Sequence, residues 1–268
     1  MTLKIGVRAR FFLVLSYWAL TPIFAFGQDA SVRVEGLRDP VDKSYRRMVA
    51  GAKLFEERRA HAPQAPLRFK LLPRNRATKM DGVELDLVGD SFQEPIELAP
   101  DNTFVLPRDA RALKENASVR PNRRSGTMTW RAEIRSPGVP PGARRLGDLR
   151  LECYVGMESG LISNRPPSLL GWMLDVFAEG PAYCDRPEPN YLFFAERPVW
   201  NVTLVAGARR EVLSVDRLYA AASRDRNLRE VLPYCDCEVL LDRTYFVPLG
   251  DRSWPDDTLV HFEYMDDR

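Results

Sequence analysis

The alternating stretch Val83–Pro107 reads VELDLVGDSFQEPIELAPDNTFVLP. Apolar residues occupy every second position of three short runs within it, which are Val83–Leu87, Ile96–Leu98 and Phe104–Leu106. A period of two is typical of β-strands that bury one face. Gly89-Asp90-Ser91 and Pro100-Asp101-Asn102 separate the runs, and residues of these types favour tight turns. The stretch therefore predicts an antiparallel β-meander.

The beginning of the chain has a different composition. Three basic residues precede a run, Phe11–Phe26, that is almost wholly apolar. Ala25 and Gly27 are small residues at the two positions that signal peptidase recognises. The pattern predicts a secretory signal peptide over residues 1–27, cleaved between Gly27 and Gln28.

An uncleaved membrane anchor is the alternative interpretation of this apolar run. The run is shorter than the roughly 20 residues needed to span a bilayer, and it contains Pro22. We therefore expect a periplasmic or secreted bacterial protein with no membrane span after the leader is removed.

The charge balance bears on the class of partner. The chain has 39 basic and 37 acidic residues, and the leader holds three of the basic ones, which leaves 36 against 37. A neutral exported chain does not favour a nucleic-acid partner. The sequence also lacks a glycine-rich phosphate-binding loop, so no cofactor is predicted.

The fold class predicted from the patterns is mainly β. Ordinary hydrophobic content and 21 prolines favour short strands over long helices. We expect two antiparallel β-sandwich-like domains with an N-terminal helix and a short helical insertion. The boundaries are 28–66 for an N-terminal strand and amphipathic helix, 67–160 for the first β-sandwich domain, 161–198 for a proline-rich insertion, and 199–268 for the second β-region.

Two helices are predicted from apolar spacing. Asp39-Pro40 supplies a capping side chain and a first helical residue. Apolar residues then follow at helical spacing, at Tyr45, Met48, Val49, Ala52 and Phe55. In the insertion, a second such set runs from Leu169 to Phe177, with Ser168 as its N-cap.

Further strands are predicted from alternation. In the first β-domain, Thr127–Ile134 alternates after a predicted hairpin loop at Asn122–Gly126. Leu149–Val155 alternates as well and predicts another strand. The strands predicted in the second β-region begin at Val199 and return at Cys237–Leu241, Thr244–Val247 and Thr258–Tyr264.

The run Ile96–Leu106, IELAPDNTFVL, resembles the strand, turn and aromatic strand of carboxypeptidase-regulatory and transthyretin-like β-sandwiches. Asn102 stands where that family usually has glycine. The resemblance covers residues 67–155. It implies a fold, and it brings no catalytic residues with it.

Four cysteines, Cys153, Cys184, Cys235 and Cys237, lie in the second half of the chain. An even number in an exported chain predicts two disulfides. Cys235 and Cys237 would share one face of a strand, where a bond between them is strained. We therefore expect one of them to pair with Cys153 and the other with Cys184. The alternative is a redox-active Cys235–Cys237 pair, because a strained disulfide is easily reduced.

Residue types that usually carry catalysis are few. The two histidines, His61 and His261, have no second ligand at the spacing of a metal site. We interpret His61 as solvated and His261 as part of the last strand. Ser159 lacks the GxSxG context of a hydrolase nucleophile. The sequence therefore predicts no catalytic residue and no metal site.

Eight arginines stand between Arg120 and Arg150, against two acidic residues. A local excess of positive charge favours an anionic partner, here an anionic glycan or an envelope protein. The anion-binding residues predicted are Arg120, Arg123 and Arg124. The alternative is that the acidic residues after position 250 neutralise these arginines, or that solvent does.

These observations favour a non-catalytic binding or structural module of the cell envelope. A carboxylate-based envelope hydrolase is the first alternative, since Glu84 with Asp86, or Asp256 with Asp257, offers paired carboxylates. A thiol–disulfide protein that uses Cys235 and Cys237 is the second.

Overall fold

The computed structural model describes residues 42–124, 126–161, 180–187, 191–220 and 240–267. Several predicted features lie outside the described residues. They are the leader with its Gly27–Gln28 boundary, the Asp39-Pro40 helix start, the insertion helix after Ser168, and the cysteines Cys235 and Cys237.

The described ranges contain three α-helices and thirteen strands. The helices are α1 (Tyr45–Glu57), α2 (Ala110–Lys114) and α3 (Leu146–Ser159). The strands are β1 (Lys43–Ser44), β2 (Leu67–Pro73), β3 (Leu85–Val88), β4 (Gln93–Pro95), β5 (Thr103–Phe104), β6 (Ser118–Pro121), β7 (Met128–Ile134), β8 (Ala143–Arg145), β9 (Phe193–Phe194), β10 (Val199–Ala206), β11 (Arg209–Val212), β12 (Thr244–Tyr245) and β13 (Leu259–Tyr264).

Helix α1 confirms the apolar spacing that predicted it. Its buried residues are Tyr45, Met48, Gly51 and Phe55. Ser44 caps the first turn, where its side chain accepts a hydrogen bond from the Arg47 amide. A Cβ added at Gly51 would lie 1.9 Å from Ser159 Oγ, so this glycine permits α1 and α3 to approach closely.

The stretch with the clearest alternation is divided between two sheets. Strands β3 and β4 form the antiparallel hairpin predicted around Gly89-Asp90-Ser91. Phe104 lies in β5, which pairs with β2 instead. Its ring packs against Phe69 and Trp130, at centroid distances of 5.7 and 6.1 Å. The prediction of one continuous meander is wrong, because the third run buries its aromatic residue in another sheet.

The first two sheets have the strand orders β1-β6-β3-β4 and β5-β2-β7. Strands β2 and β7 pair along their whole length, from Leu67 opposite Ile134 to Pro73 opposite Met128. The segment 122–126 therefore joins strands of different sheets. The hairpin loop predicted there is wrong, because the antiparallel partner of β7 is β2.

The strand predicted at Leu149–Val155 is also wrong, since these residues belong to helix α3. Every residue from Leu146 to Gly156 is buried. A helix that is buried on all sides carries no amphipathic stripe. The alternation of apolar residues in this segment therefore does not report a strand.

Two further sheets have the orders β11-β10-β13-β8 and β12-β9, and they contain the strands predicted from Val199, at Thr244–Val247 and at Thr258–Tyr264. The strand predicted at Cys237–Leu241 falls mostly outside the described residues, and Leu241 begins a short helical turn. Strands β10 and β13 pair antiparallel, with an irregularity of register between Val199 and Asn201. Strand β8 pairs with β13 through Arg144 opposite Val260. A segment that precedes α3 thus joins a sheet of C-terminal strands.

One hydrophobic core extends through these elements and includes Phe69, Trp130, Leu149, Val202 and Val260. The described residues belong to one compact unit. The β-rich class with antiparallel sheets is confirmed, whereas two separate sandwich domains are not. Within the described ranges, no helix is long and apolar enough to cross a membrane.

Candidate functional site

Helix α3 carries three charged residues into the interior. Asp148, Arg150 and Glu152 are at most 2% exposed. Buried charges require partners that replace the lost water. The Asp148 carboxylate accepts hydrogen bonds from the Ser136 amide at 2.8 Å and the Ser136 hydroxyl at 2.6 Å. Each of the other two residues belongs to a polar cluster.

The first cluster is centred on Arg144 of β8 and Glu152 of α3. Arg144 Nη2 donates to Glu152 Oε1 at 2.5 Å and to the Ile134 carbonyl at 2.9 Å. Glu152 Oε1 also accepts from the Ile134 amide at 2.9 Å. Burial raises the pKa of Glu152, and the charge of Arg144 opposes this effect. Burial disfavours the charged form of Arg144, but the attraction of Glu152 raises its pKa overall, so this arginine keeps its charge.

Further charged residues surround this pair. Arg135 Nε donates to Glu133 at 2.5 Å, and its Nη2 donates to Glu196 at 2.8 Å. Arg131 Nη1 donates to the Phe194 carbonyl at 2.8 Å. Burial would raise the pKa of Glu133, yet Arg144 and Arg135 lower it to about 2. The carboxylate of Glu133 is therefore ionised at neutral pH.

A small cavity lies beside this cluster, where β8, β9, β12 and β13 meet. Its volume is about 30 Å³. Four aromatic side chains line it, those of Phe194, Tyr245, Phe262 and Tyr264. The charged lining consists of Arg135, Arg144 and Glu196. We call this cavity the Arg144 pocket.

The second cluster is centred on Arg150 of α3. Its guanidinium donates to Asp256 Oδ1 at 2.5 Å and to the carbonyl oxygens of Leu249, Asp251 and Trp254 at 2.8 to 3.0 Å. His61 Nδ1 lies 2.8 Å from Asp256 Oδ2. A Cβ added at Gly147 would lie 2.1 Å from the His61 carbonyl oxygen, so this glycine permits α3 to begin against that segment.

The His61–Asp256–Arg150 cluster resembles the orienting half of a catalytic dyad, in which a carboxylate fixes an imidazole. Catalysis of acyl transfer also needs a nucleophile within hydrogen-bond reach of the imidazole. No hydroxyl or thiol of the described residues makes a hydrogen bond to His61. The interpretation of His61 as solvated is wrong, because its ring is held by Asp256 and its side chain is only 17% exposed.

Asp256→Asn is expected to lower the free energy of unfolding by roughly 1 to 3 kcal/mol near neutral pH, because Arg150 loses a charged acceptor. Burial opposes ionisation of Asp256, but hydrogen bonds from Arg150 and His61 hold its pKa below the ordinary 3.8. The ionised carboxylate therefore stabilises the fold above about pH 4, and this contribution is lost as the pH falls through the folded-state pKa. Urea unfolding of both proteins between about pH 6 and pH 2 measures the difference.

The matched control for that experiment is Asp257→Asn, at the exposed neighbouring residue. We expect it to change stability by less than about 0.5 kcal/mol throughout the pH range. A wild-type advantage over Asp256→Asn that stays constant into acid would show that ionisation of Asp256 is not the cause.

The Cys153–Cys184 disulfide lies next to a third polar group. Tyr154 donates a hydrogen bond to Asp185 Oδ1 at 2.5 Å, and Arg252 binds both residues. The disulfide joins α3 to the short helical turn at 181–185. The predicted pairing of Cys153 and Cys184 with Cys235 and Cys237 is wrong, because the sulfur atoms of Cys153 and Cys184 are bonded to each other. Both cysteines are buried, as is typical of structural disulfides.

The predicted anion-binding arginines have different surroundings. Arg120 lies on β6 and forms an ion pair with Asp42 at 3.3 Å. Arg123 donates to the Asn122 side chain at 2.7 Å and to the Asp81 carbonyl at 2.7 Å. Arg124 is exposed. Of the three, two stabilise local structure, and Arg124 presents its side chain to solvent.

The structure also shows where His261 and Ser159 lie. His261 lies in β13, opposite Thr203 and Ala143, as expected of a strand residue. The Ser159 side chain is buried between α1 and α3. Within the described ranges, no group of three or more His, Cys, Asp or Glu side chains is arranged to hold a metal ion.

Comparison of the chain with protein-family models, curated proteins and solved structures finds no match. The resemblance of residues 67–155 to transthyretin-like sandwiches stays an expectation from the sequence. Helix α3 begins within that range, at Leu146, and includes the residues whose alternation predicted a strand.

Sequence reasoning missed both polar clusters. Arg144 and Glu152 appear in the sequence as ordinary charged residues, and His61 is separated from Asp256 by 195 positions. The only available signal was the opposition of the arginine-rich segment and the acidic C-terminal segment. The Arg150–Asp256 contact confirms that these segments neutralise each other at one point.

Proposed function

We propose that this chain is an exported, non-catalytic binding module of the bacterial cell envelope. The observation that carries the proposal is the pairing of three carboxylates with arginines. Asp256, Glu133 and Glu152 are each bound to an arginine at 2.5 Å. Groups fixed in this way stabilise the fold and are not positioned to exchange protons with a substrate. The leader predicted over residues 1–27 supports the envelope location.

The carboxylate pairs that favoured a hydrolase receive less support. A glycosidase of that kind needs two carboxyl groups across a cleft, one of them kept protonated. Asp86 accepts a hydrogen bond from Gln93 on the surface, and Glu84 is exposed. Asp256 has a lowered pKa, and Asp257 is exposed. The thiol–disulfide alternative depends on Cys235 and Cys237, which lie outside the described residues.

The partner class that we propose is an anionic glycan, or an envelope protein with an acidic surface, contacted through Arg124. Arg124 is exposed and makes no ion pair with a described residue. A solvated guanidinium of this kind attracts polyanions through contacts that salt weakens.

Binding to immobilised alginate, with dextran as the neutral polysaccharide, tests this proposal. We expect residues 28–268 to bind alginate and not dextran, and 0.5 M NaCl to weaken the interaction. Arg124→Ala should reduce the affinity several-fold, whereas Arg210→Ala, at an exposed arginine of β11, should leave it unchanged. Equal binding by both variants, or none by the wild type, would overturn the role of Arg124. Release of soluble oligosaccharide from alginate would instead establish an enzyme.

A further inference from the structure

The Arg144 pocket combines a buried cation with a hydrogen-bonding capacity that the protein does not use. The Arg144 side chain is only 5% exposed. Its Nη2 atom donates to Glu152 and Ile134, while its Nε atom is buried without an acceptor. In the described part of the chain no atom accepts from Nη1. This arginine lines the cavity and retains donors for a ligand.

Tyr245 supplies a second donor at the same place. Its side chain is 1% exposed and lines the cavity. Its hydroxyl makes no hydrogen bond with a described residue. Burial raises the pKa of Tyr245, so the hydroxyl is protonated and able to donate at neutral pH.

Charged groups of both signs act on the Tyr245 hydroxyl. They are the guanidiniums of Arg131, Arg135 and Arg144, against the carboxylate of Glu152. Glu133 and Glu196, both bound to Arg135, balance part of this positive charge. The unused donors of the buried Arg144 guanidinium still favour a negatively charged acceptor, because hydrogen bonds between charged groups are the stronger ones. Glu196 also lines the cavity, where it is exposed and bound to Arg135.

The size of the cavity limits the acceptor. One water-sized group requires about 10 to 15 Å³ of such volume, so 30 Å³ accommodates about two oxygen atoms. The surrounding rings of Phe194, Phe262 and Tyr264 are apolar on their faces and suit the carbon atom that joins those oxygens. A carboxylate, with its two oxygens, matches this space more closely than a tetrahedral anion with four.

We propose that the Arg144 pocket binds a carboxylate group, whose oxygens accept hydrogen bonds from Arg144 Nη1 and the Tyr245 hydroxyl. The carboxylate belongs either to a free small acid or to the end of a larger ligand such as an acidic sugar. This inference deepens the proposed binding function, but it uses residues that do not include Arg124. Its test is therefore independent of binding to immobilised alginate.

The test is an NMR titration of the protein with ¹³C-labelled tyrosine rings. The probes are sodium acetate, sodium glucuronate, acetamide and sodium phosphate at equal ionic strength. The Tyr245 signals are assigned by their loss in Tyr245→Phe. We expect acetate to shift them saturably, and acetamide and phosphate to leave them unchanged. A glucuronate affinity well above that of acetate would identify a sugar acid as the source, and equal affinities would identify a free small acid.

Tyr245→Phe provides the second measurement, with binding followed by calorimetry. The ring and its packing are kept, so the variant should fold. Loss of a hydrogen bond to a charged acceptor should weaken acetate binding about tenfold. The matched control is Tyr191→Phe, which removes a buried hydroxyl near Glu152 that does not line the cavity, and it should bind acetate within twofold of the wild type. Unshifted Tyr245 signals at 50 mM acetate, or equal weakening by both variants, would overturn the proposal.

Discussion

Glu152→Gln is expected to destabilise the protein by about 3 to 5 kcal/mol, because it removes the carboxylate that is bonded to the buried Arg144 guanidinium. The Glu152 side chain is fully buried and that of Arg144 is 5% exposed. Arg144 cannot lower the free-energy cost of its buried charge by losing its proton, since arginine stays charged in proteins. For a domain whose total stability is about 5 to 15 kcal/mol, this is a large share.

Urea unfolding followed by circular dichroism measures this effect. Glu57→Gln is the matched control, since Glu57 forms an exposed ion pair with Lys53 on α1. We expect that control to change stability by less than about 0.5 kcal/mol.

A double variant distinguishes the effect of the charges from the effect of side-chain volume. Arg144→Met with Glu152→Leu removes both charges and keeps most of the volume, so it should recover most of the stability. If Glu152→Gln were no worse than Glu57→Gln, the buried pair would not be a principal determinant of the fold.

Removal of the Cys153–Cys184 bond is expected to have an effect of similar size. The two cysteines are 31 positions apart. Closing a loop of this length restricts the unfolded chain and stabilises the folded state by about 3 to 4 kcal/mol. The Cys153→Ala, Cys184→Ala double variant should therefore unfold at a clearly lower urea concentration.

Two measurements check this prediction. Non-reducing peptide mapping, with free thiols blocked, should recover a peptide pair that links Cys153 to Cys184. Cys235→Ala with Cys237→Ala should leave that linked pair in place. Recovery of Cys153 or Cys184 bonded to Cys235 or Cys237 would contradict the structure and restore the pairing expected from the sequence.

The sequence by itself determined the features that depend on neighbouring residues. The spacing of Tyr45, Met48 and Phe55 specifies α1, because one face of that helix is buried and the other is not. The residue types of Gly89-Asp90-Ser91 specify a turn. The alternation in Thr127–Ile134 predicted strand β7, although every residue of that strand is buried. Each is encoded within a few positions of the chain.

Only the tertiary structure decided which elements meet. Helix α3 is buried on all sides, so its apolar residues do not follow the helical period. Their alternation suggested a strand instead. Phe104 joins β2 and not β4 because its ring packs on Phe69 and Trp130. The disulfide partner of Cys153 likewise depends on where distant segments fold.

The candidate site is also a feature that only the tertiary structure decided. The Arg144 pocket takes its lining from four strands that are far apart in the chain, and His61 reaches Asp256 across 195 positions. A charged residue has the same appearance in a sequence whether it is solvated or buried. Its role is set by the low exposure and the partners that folding provides, because removal from water makes each charge dependent on a specific neighbour.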